Sequence, residues 1–253
     1  MASEFQGPRT AIVTGGARRI GAALCRALSE DGWHLLIHCN RSGTEAEALA
    51  AELGNAKVVQ AELADPNAAA TIMAALDGLP PARLLVNNAS RFEYDSADDF
   101  TPESWSAHLD VNLRAPALLS QAFAAQAESG GLIVHMLDAK LAQPNADFFS
   151  YTVSRFGLAG MLELQARAWA PRAIRVCGIA PSVTLVSGPQ SEGNFEAVHA
   201  LNALGRGVRV EEIVGALRFI VATPSLTGQT LTLDGGQRFL SLARDVQFLE
   251  PGP

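Results

Sequence analysis

Cysteine, basic charge and long apolar runs are all scarce in this sequence, and each scarcity removes a class of protein. Three cysteines, Cys25, Cys39 and Cys177, are an odd number without CxxC spacing, each in an apolar segment. They argue against a disulfide framework and read as buried, reduced thiols in a reducing compartment. Asp and Glu outnumber Lys and Arg by 26 to 19, giving a formal net charge of −7. Nucleic acid and anionic membrane are therefore poor partners, since either favours a basic face. No uninterrupted apolar run reaches the roughly eighteen residues of a membrane-spanning helix. His34, His38, His108, His135 and His199 show neither HExxH nor paired ligand spacing, so they read as structural and no metal is proposed. Linkers rich in Gly, Ser or Pro and internal repeats are absent too, which favours one domain. Met1 to Pro8 has no basic region followed by an apolar stretch; residues 1–8 are expected to be disordered and the cytoplasm to be the compartment.

What is present is a rhythm. With 253 residues, 48% of them apolar, the chain has ample core for a single α/β domain. Short apolar runs alternate with longer segments of helical periodicity, the pattern of βαβ units and a parallel sheet. Strands are predicted at Thr10 to Thr14, Trp33 to Cys39, Ala56 to Ala61, Arg83 to Val86, Leu132 to Met136, Ile174 to Ile179 and Thr230 to Leu233. Helices fall between them, on both faces of a doubly wound sheet. One is predicted to start at Thr101-Pro102-Glu103 and to run to about Ala127. The domain is expected over residues 9–240. The apolar tail 241–253 is expected to dock at a subunit interface or near the substrate loop. Lys140 to Ser150 and Val183 to Asn194 are the least regular segments. Both follow a strand, and ligands of open parallel sheets bind beyond the strands' carboxyl ends.

The stretch AIVTGGARRIGAALCRAL reads as an apolar strand, a glycine turn and an amphipathic helix. Gly15 and Gly16 permit the turn, Gly21 allows close packing, and the helix N-terminus can receive a diphosphate. The second strand ends in HCNRSG. Two free ribose hydroxyls usually meet an acidic residue there, whereas a 2′-phosphate needs cations and hydroxyls. Asn40, Arg41 and Ser42 supply no carboxylate, one guanidinium and one hydroxyl, and Arg18 and Arg19 add two cations. NADPH is preferred over NADH.

YTVSR, Tyr151 to Arg155, pairs a tyrosine with a base one helical turn later. Reduction of a C=N or C=O bond needs a hydride and a proton at the developing anion. A tyrosine of pKa about 10 is an adequate acid, and a nearby cation lowers that value by roughly one to three units. An arginine can supply charge and planar donors, but it cannot relay its own proton.

In order along the chain, TGGARRIG, NNAS at Asn87 to Ser90, Val111-Asn112, Tyr151 with its basic partner, APS at Ala180 to Ser182 and TGQTLTLDGG resemble the short-chain dehydrogenase/reductase family. The resemblance implies a Rossmann fold and a homotetramer. It is closest to the pteridine reductases and dihydromonapterin reductases. Arg19 stands at the motif's middle glycine, Phe92 at the ring on which a pterin stacks, NRS at the 2′-phosphate loop, and Asp138 at the wider family's serine. By this likeness Tyr151, Arg155, Asp138 and Asn112 are catalytic, Asn112 organising a water. Gly15, Arg18, Arg19, Ile20, Asn40, Arg41, Ser42, Glu62, Leu63, Asn88, Ala89, Ser90, Tyr151, Arg155, Pro181, Ser182 and Thr184 hold the cofactor. Arg19, Ser90, Phe92, Asp138 and Tyr151 hold the substrate. Two departures stand out: Glu62 where aspartate is usual against the adenine, and Arg155 where lysine is usual. The expected function is NADPH-dependent reduction of a pterin-like heterocycle, with Tyr151 and Asp138 as proton donors. A carbonyl reductase acting on a ketone or 3-oxoacyl group and an NADP(H)-binding pseudoenzyme are the alternatives.

Overall fold

The computed structural model describes residues 5, 7–127, 130–186 and 192–249. Seven parallel strands form one sheet: β1 (Thr10–Val13), β2 (His34–Cys39), β3 (Ala56–Gln60), β4 (Ala82–Asn87), β5 (Gly131–Met136), β6 (Ile174–Pro181) and β7 (Thr230–Leu233). Their spatial order is β3-β2-β1-β4-β5-β6-β7, so the winding reverses between β1 and β4 and opens a crevice above their carboxyl ends. This is the doubly wound Rossmann α/β fold, and the strand predictions match it to within a residue or two at each end. The helices are α1 (Arg19–Glu30), α2 (Gly43–Leu53), α3 (Ala68–Ala74), α4 (Pro102–Leu109), α5 (Ala115–Gln126), α6 (Phe149–Trp169), α7 (Glu192–His199) and α8 (Val210–Val221).

The period of two along each strand divides the core. Ala11, Val13, Leu35, Ile37, Leu84 and Val86 face one layer with α1, α2 and α8, while Ile12, Leu36 and Leu85 face the other with α3, α5 and α6. Such double-sided burial is why these strands read as continuous apolar runs. Two polar side chains inside the sheet are answered in full. Asn87 Nδ2 lies 3.2 Å from Ser120 Oγ and 3.2 Å from His135 Nδ1, and His135 Nε2 lies 2.9 Å from Gln165 Oε1. Burial pushes the His135 pKa down to about 4, so the ring is neutral at pH 7 and accepts at Nδ1 while donating at Nε2. Cys25, Cys39 and Cys177 are buried free thiols.

The long helix predicted from Thr101 is instead two helices. Thr101 caps α4 through a reciprocal pair, Ser104 N donating to its Oγ1 at 3.2 Å and its own N donating to Ser104 Oγ at 3.1 Å. A single wide turn, Asp110–Arg114, then separates α4 from α5. Pro116 has no N–H for the carbonyl of Asn112, and the widened turn absorbs the missing bond. At the amino end, Phe5 is buried with its ring edge-on to Trp33 at 5.6 Å. A packed Phe5 departs from the disorder expected over residues 1–8; positions 1–4 and 6 lie outside the described residues. Of the loop expected at 183–194, residues 187–191 also lie outside them, and its end, from Glu192, begins α7. No described helix is long and apolar enough to cross a membrane.

Candidate active site

The glycine turn after β1 is built for close approach. A Cβ on Gly21 would fall against the Gly15 carbonyl oxygen and 2.8 Å from Asn88 Nδ2, so only glycine lets α1 start here. Asn88 Nδ2 donates to the carbonyls of Thr14 and Gly15 at 2.8 and 3.1 Å, while the Asn88 and Ala89 N–H groups donate to Thr14 Oγ1 at 2.9 and 3.0 Å. These bonds make Asn88 and Ala89 braces of the turn. Arg19 opens α1 at φ 54°, the left-handed conformation that the family's glycine adopts freely and an arginine adopts under strain. Beneath it, Gly15 N–H donates to His38 Nδ1 at 3.2 Å, and His38 Nε2 bonds the Ala61 carbonyl at 3.0 Å. Burial lowers the His38 pKa and keeps the ring neutral, which the acceptor role at Nδ1 requires. Sequence reading treated His38 as structural; its place just before the phosphate loop was the available signal.

Beyond β2, Asn40 and Arg41 are exposed and Ser42 sits at the N-cap of α2 with no side-chain cap bond. Asn40 Nδ2 donates to Glu62 Oε2 at 2.5 Å, Arg18 pairs with Glu45 at 3.5 Å, and Leu63 is buried next to Glu62. The α2 N-terminus, the hydroxyl and two guanidinium groups form a rim suited to a phosphate.

A cavity of about 550 Å³ lies beyond the carboxyl ends of β1, β4, β5 and β6. Arg19 and Ile20 line it from the first turn, Asn88, Ser90 and Phe92 from the β4 loop, and Asp138 from the β5 loop. Tyr151 and Arg155 line it from α6, and Pro181, Ser182 and Thr184 from the end of β6. Gly15, Arg18, Asn40, Arg41, Ser42, Glu62, Leu63 and Ala89 lie outside it, along the groove towards the α2 rim. Asn112 is outside for another reason. Fully buried, it accepts from Arg91 N at 2.8 Å and donates to Arg91 O at 2.9 Å and Ser154 Oγ at 3.0 Å. Its side chain clamps the β4 loop to α6, and Asn112 is not among the residues that line the cavity.

α6 carries the centre. Its N-terminus is capped from a distant loop: Asp95 O accepts from Phe149 N at 3.0 Å, Asp95 Oδ1 from Ser150 N at 2.9 Å, and Asp95 Oδ2 from Ser150 Oγ. His108 Nδ1 lies 2.7 Å from the same buried Ser150 hydroxyl, so this Ser-His-Asp trio is a helix brace without solvent access. Tyr151 is buried and its hydroxyl donates to Asp138 Oδ2 at 2.7 Å. Half-buried Asp138 is thus part of the site. Arg155, 4% exposed, donates from Nη1 to the Met136 carbonyl at 3.0 Å and places its guanidinium 5.2 Å from the Tyr151 ring centre.

Arg155 pulls the tyrosine pKa down as expected, but it is outweighed. Burial raises it most, the Asp138 carboxylate adds to that, and the opposing Arg155 charge does not compensate, so Tyr151 titrates above its ordinary value. One arm of the Arg155 fork serves the Met136 carbonyl. Its buried Nε has no hydrogen-bond partner among the described residues.

The aromatic side is continuous. Phe92 meets Tyr151 edge-on at 4.7 Å and stacks on Phe148 at 4.2 Å. Lys140, which sequence reading passed over although it is two residues from Asp138, lines the cavity and donates to the Asp147 carbonyl at 2.6 Å and to Asp245 Oδ2 at 3.2 Å.

Residues 9–195 match the family model of the short chain dehydrogenases. The chain belongs to that family. It is accordingly an oxidoreductase. Among solved structures, FolM alternative dihydrofolate reductase 1 from Brucella canis, complexed with NADP, is 38% identical with a TM-score of 0.87, covering 91% of this chain and 94% of that one. A short chain dehydrogenase from Burkholderia cenocepacia J2315, also in complex with NADP, is 34% identical with a TM-score of 0.81, covering 92% and 98%. The 3-oxoacyl-[acyl-carrier-protein] reductase of Synechocystis is 29% identical, covering 90% of this chain and 96% of its own length.

Proposed function

We propose that this oxidoreductase is an NADPH-dependent reductase that transfers a hydride to a pterin-like heterocycle, converting a dihydropterin to a tetrahydropterin. The observation that carries the reading is the Phe92 ring set 4.7 Å from the Tyr151 ring, with the Tyr151 hydroxyl bonded to Asp138. A flat ring held against Phe92 in the cavity would have its edge beside a proton-donating pair. The Brucella relative, named for dihydrofolate reduction and bound to NADP, supports the same substrate class and cofactor.

The residues fit the cofactor. The Gly15 turn and α1 N-terminus suit a diphosphate, and Arg41, Ser42 and Arg18 suit a 2′-phosphate. The Arg155 Nε, with no partner, suits a ribose hydroxyl. Glu62 and Leu63 would hold the adenine, and Pro181, Ser182 and Thr184 the nicotinamide. When bound, NADPH supplies the hydride. Arg19 and Ser90 orient the heterocycle, and Tyr151 with Asp138 delivers the proton to a ring nitrogen. Arg155 supplies a permanent positive charge beside the tyrosine, but no relay.

A carbonyl reductase is the second reading, favoured by the Synechocystis relative. A homotetramer in the cytoplasm completes the proposal; exposed Phe156 and Leu164 on α6 support an assembly through that helix. Oxidation of NADPH, followed by absorbance with dihydrobiopterin, dihydromonapterin and a panel of ketones, tests the reading. Fast turnover confined to the dihydropterins is expected. Turnover confined to ketones replaces it with the second reading. Tight NADPH binding with silence on all substrates, relieved by Arg155→Lys, replaces it with an NADP(H)-binding pseudoenzyme.

A further inference from the structure

The segment after the last strand is tied to the substrate side of the site by its own chain. Leu242, Asp245, Val246 and Gln247 line the same cavity as Tyr151 and Asp138. Two ion pairs hold the segment there. Arg244 Nε donates to both Asp147 carboxylate oxygens, at 3.0 and 2.8 Å, and Lys140 reaches Asp245 Oδ2 at 3.2 Å. Asp245 N also donates to Asp147 Oδ2 at 2.7 Å. The Lys140–Asp245 pair differs from an ordinary surface bridge, its side chains being 9% and 14% exposed; in the other pair Asp147 is 6% exposed while Arg244 reaches it from the surface, 54% exposed. Burial raises the Asp147 carboxyl pKa, but Arg244, the Asp245 N–H and Lys140 together hold it below the usual value, so the anchor is charged at neutral pH.

What the anchor delivers is Phe248. Its ring stacks on Phe148 at 5.8 Å and 25°, and Phe148 stacks on Phe92 at 4.2 Å and 20°. Tyr94 closes edge-on against both Phe148 and Phe248, at 5.4 and 5.2 Å. The ring facing the cavity is therefore the last of three in a column that begins on the tail. Phe148 itself stands in a left-handed backbone conformation, φ 55°, at the start of α6, where a side chain needs outside support to hold its direction.

We propose that Phe248 is a positioning residue for substrate, holding the Phe92 platform through Phe148, and that the Asp147–Arg244 and Lys140–Asp245 pairs are the latch that keeps it in place. The tail thereby selects flat heterocycles over small carbonyl compounds, because only a stacked ring depends on the orientation of Phe92. The inference rests on the dihydropterin reading of the site.

The test compares wild type, Phe248→Ala, Phe248→Tyr and Arg244→Gln in steady-state NADPH oxidation with dihydrobiopterin, alongside NADPH binding by fluorescence. Phe248→Ala is expected to raise the dihydrobiopterin KM about three- to tenfold, the range of one aromatic contact, with kcat and NADPH affinity held within about twofold. Phe248→Tyr keeps the ring and restores the wild-type KM; Arg244→Gln loosens the latch and moves KM in the same direction as Phe248→Ala. Wild-type turnover of dihydrobiopterin with an unchanged KM in Phe248→Ala overturns the inference and leaves the function intact. If Phe248→Ala does not fold, an unchanged KM in Arg244→Gln overturns it equally. Wild type silent on dihydropterins overturns the function and the inference together.

Discussion

Arg155→Met is the most informative perturbation of the catalytic centre. The guanidinium lies 5.2 Å from the centre of the Tyr151 ring. At an effective dielectric of about 20, two unit charges at that separation interact by about 3 kcal/mol, or roughly two pKa units on the tyrosine. With the cation removed, burial and Asp138 act on Tyr151 unopposed, and its pKa, already above the ordinary value, rises further. If the hydroxyl bears half a charge in the transition state, kcat falls about tenfold; if it bears a full charge, about 100-fold. Methionine also leaves the Met136 carbonyl without its Nη1 donor, which lowers stability by about 1–3 kcal/mol. Arg155→Lys keeps the charge and is expected to stay within about tenfold of wild type. The assay is stopped-flow NADPH oxidation with a dihydropterin, with urea melts to read stability. Arg155→Met turning over within twofold of wild type, while Tyr151→Phe abolishes turnover, refutes the electrostatic role.

Gly21→Ala puts a Cβ against the Gly15 carbonyl and Asn88, so NADPH affinity measured by fluorescence titration should fall at least tenfold; an unchanged value refutes the crowding argument. Arg41→Ala is expected to weaken NADPH binding about tenfold with little effect on NADH, read as a ratio of the two dissociation constants. Stability should depend on acid in a defined window. His135 has a folded pKa of about 4 against about 6.5 unfolded, so below 6.5 the unfolded chain binds the proton first. Its share, about 3 kcal/mol, is fully present above pH 6.5 and lost as pH falls to 4, with buried His38 and His108 shifted in the same direction. A melting temperature that stays flat from pH 7 to 4 contradicts this.

The strands were legible because burial on both faces makes each one a short apolar run between polar breaks, and the glycine turn because Gly15 and Gly21 have no substitute at their positions. The break between α4 and α5 was not, since Pro116 near the start of a helix and Pro116 within one look alike until the carbonyl of Asn112 is placed. Tyr151, Asp138 and Phe92 come together as the family resemblance implied. Asn112 does not join them, because its capacity for hydrogen bonds is filled by Arg91 and Ser154, a matter of partners far away in sequence. The net Tyr151 shift was out of reach for a related reason: spacing reveals the neighbouring cation, which does lower the pKa, but not the burial that outweighs it. Lys140, Asp147 and the tail were invisible as a unit, since the pairs that join them span about a hundred residues.

Arg19 carries a consequence for anyone who would make this protein sturdier. Its left-handed backbone stores strain that glycine would release, on the order of 1 kcal/mol, so a search for stabilising substitutions would rank Arg19→Gly highly. Yet the side chain has no ion-pair or hydrogen-bond partner among the described residues and points its charge at the cavity. On the proposed reading that charge serves the ligand, and the strained backbone is a loaded spring at the mouth of the site. Stabilisation guided by backbone geometry alone would relax that spring and deliver a more durable protein with a blunter grip.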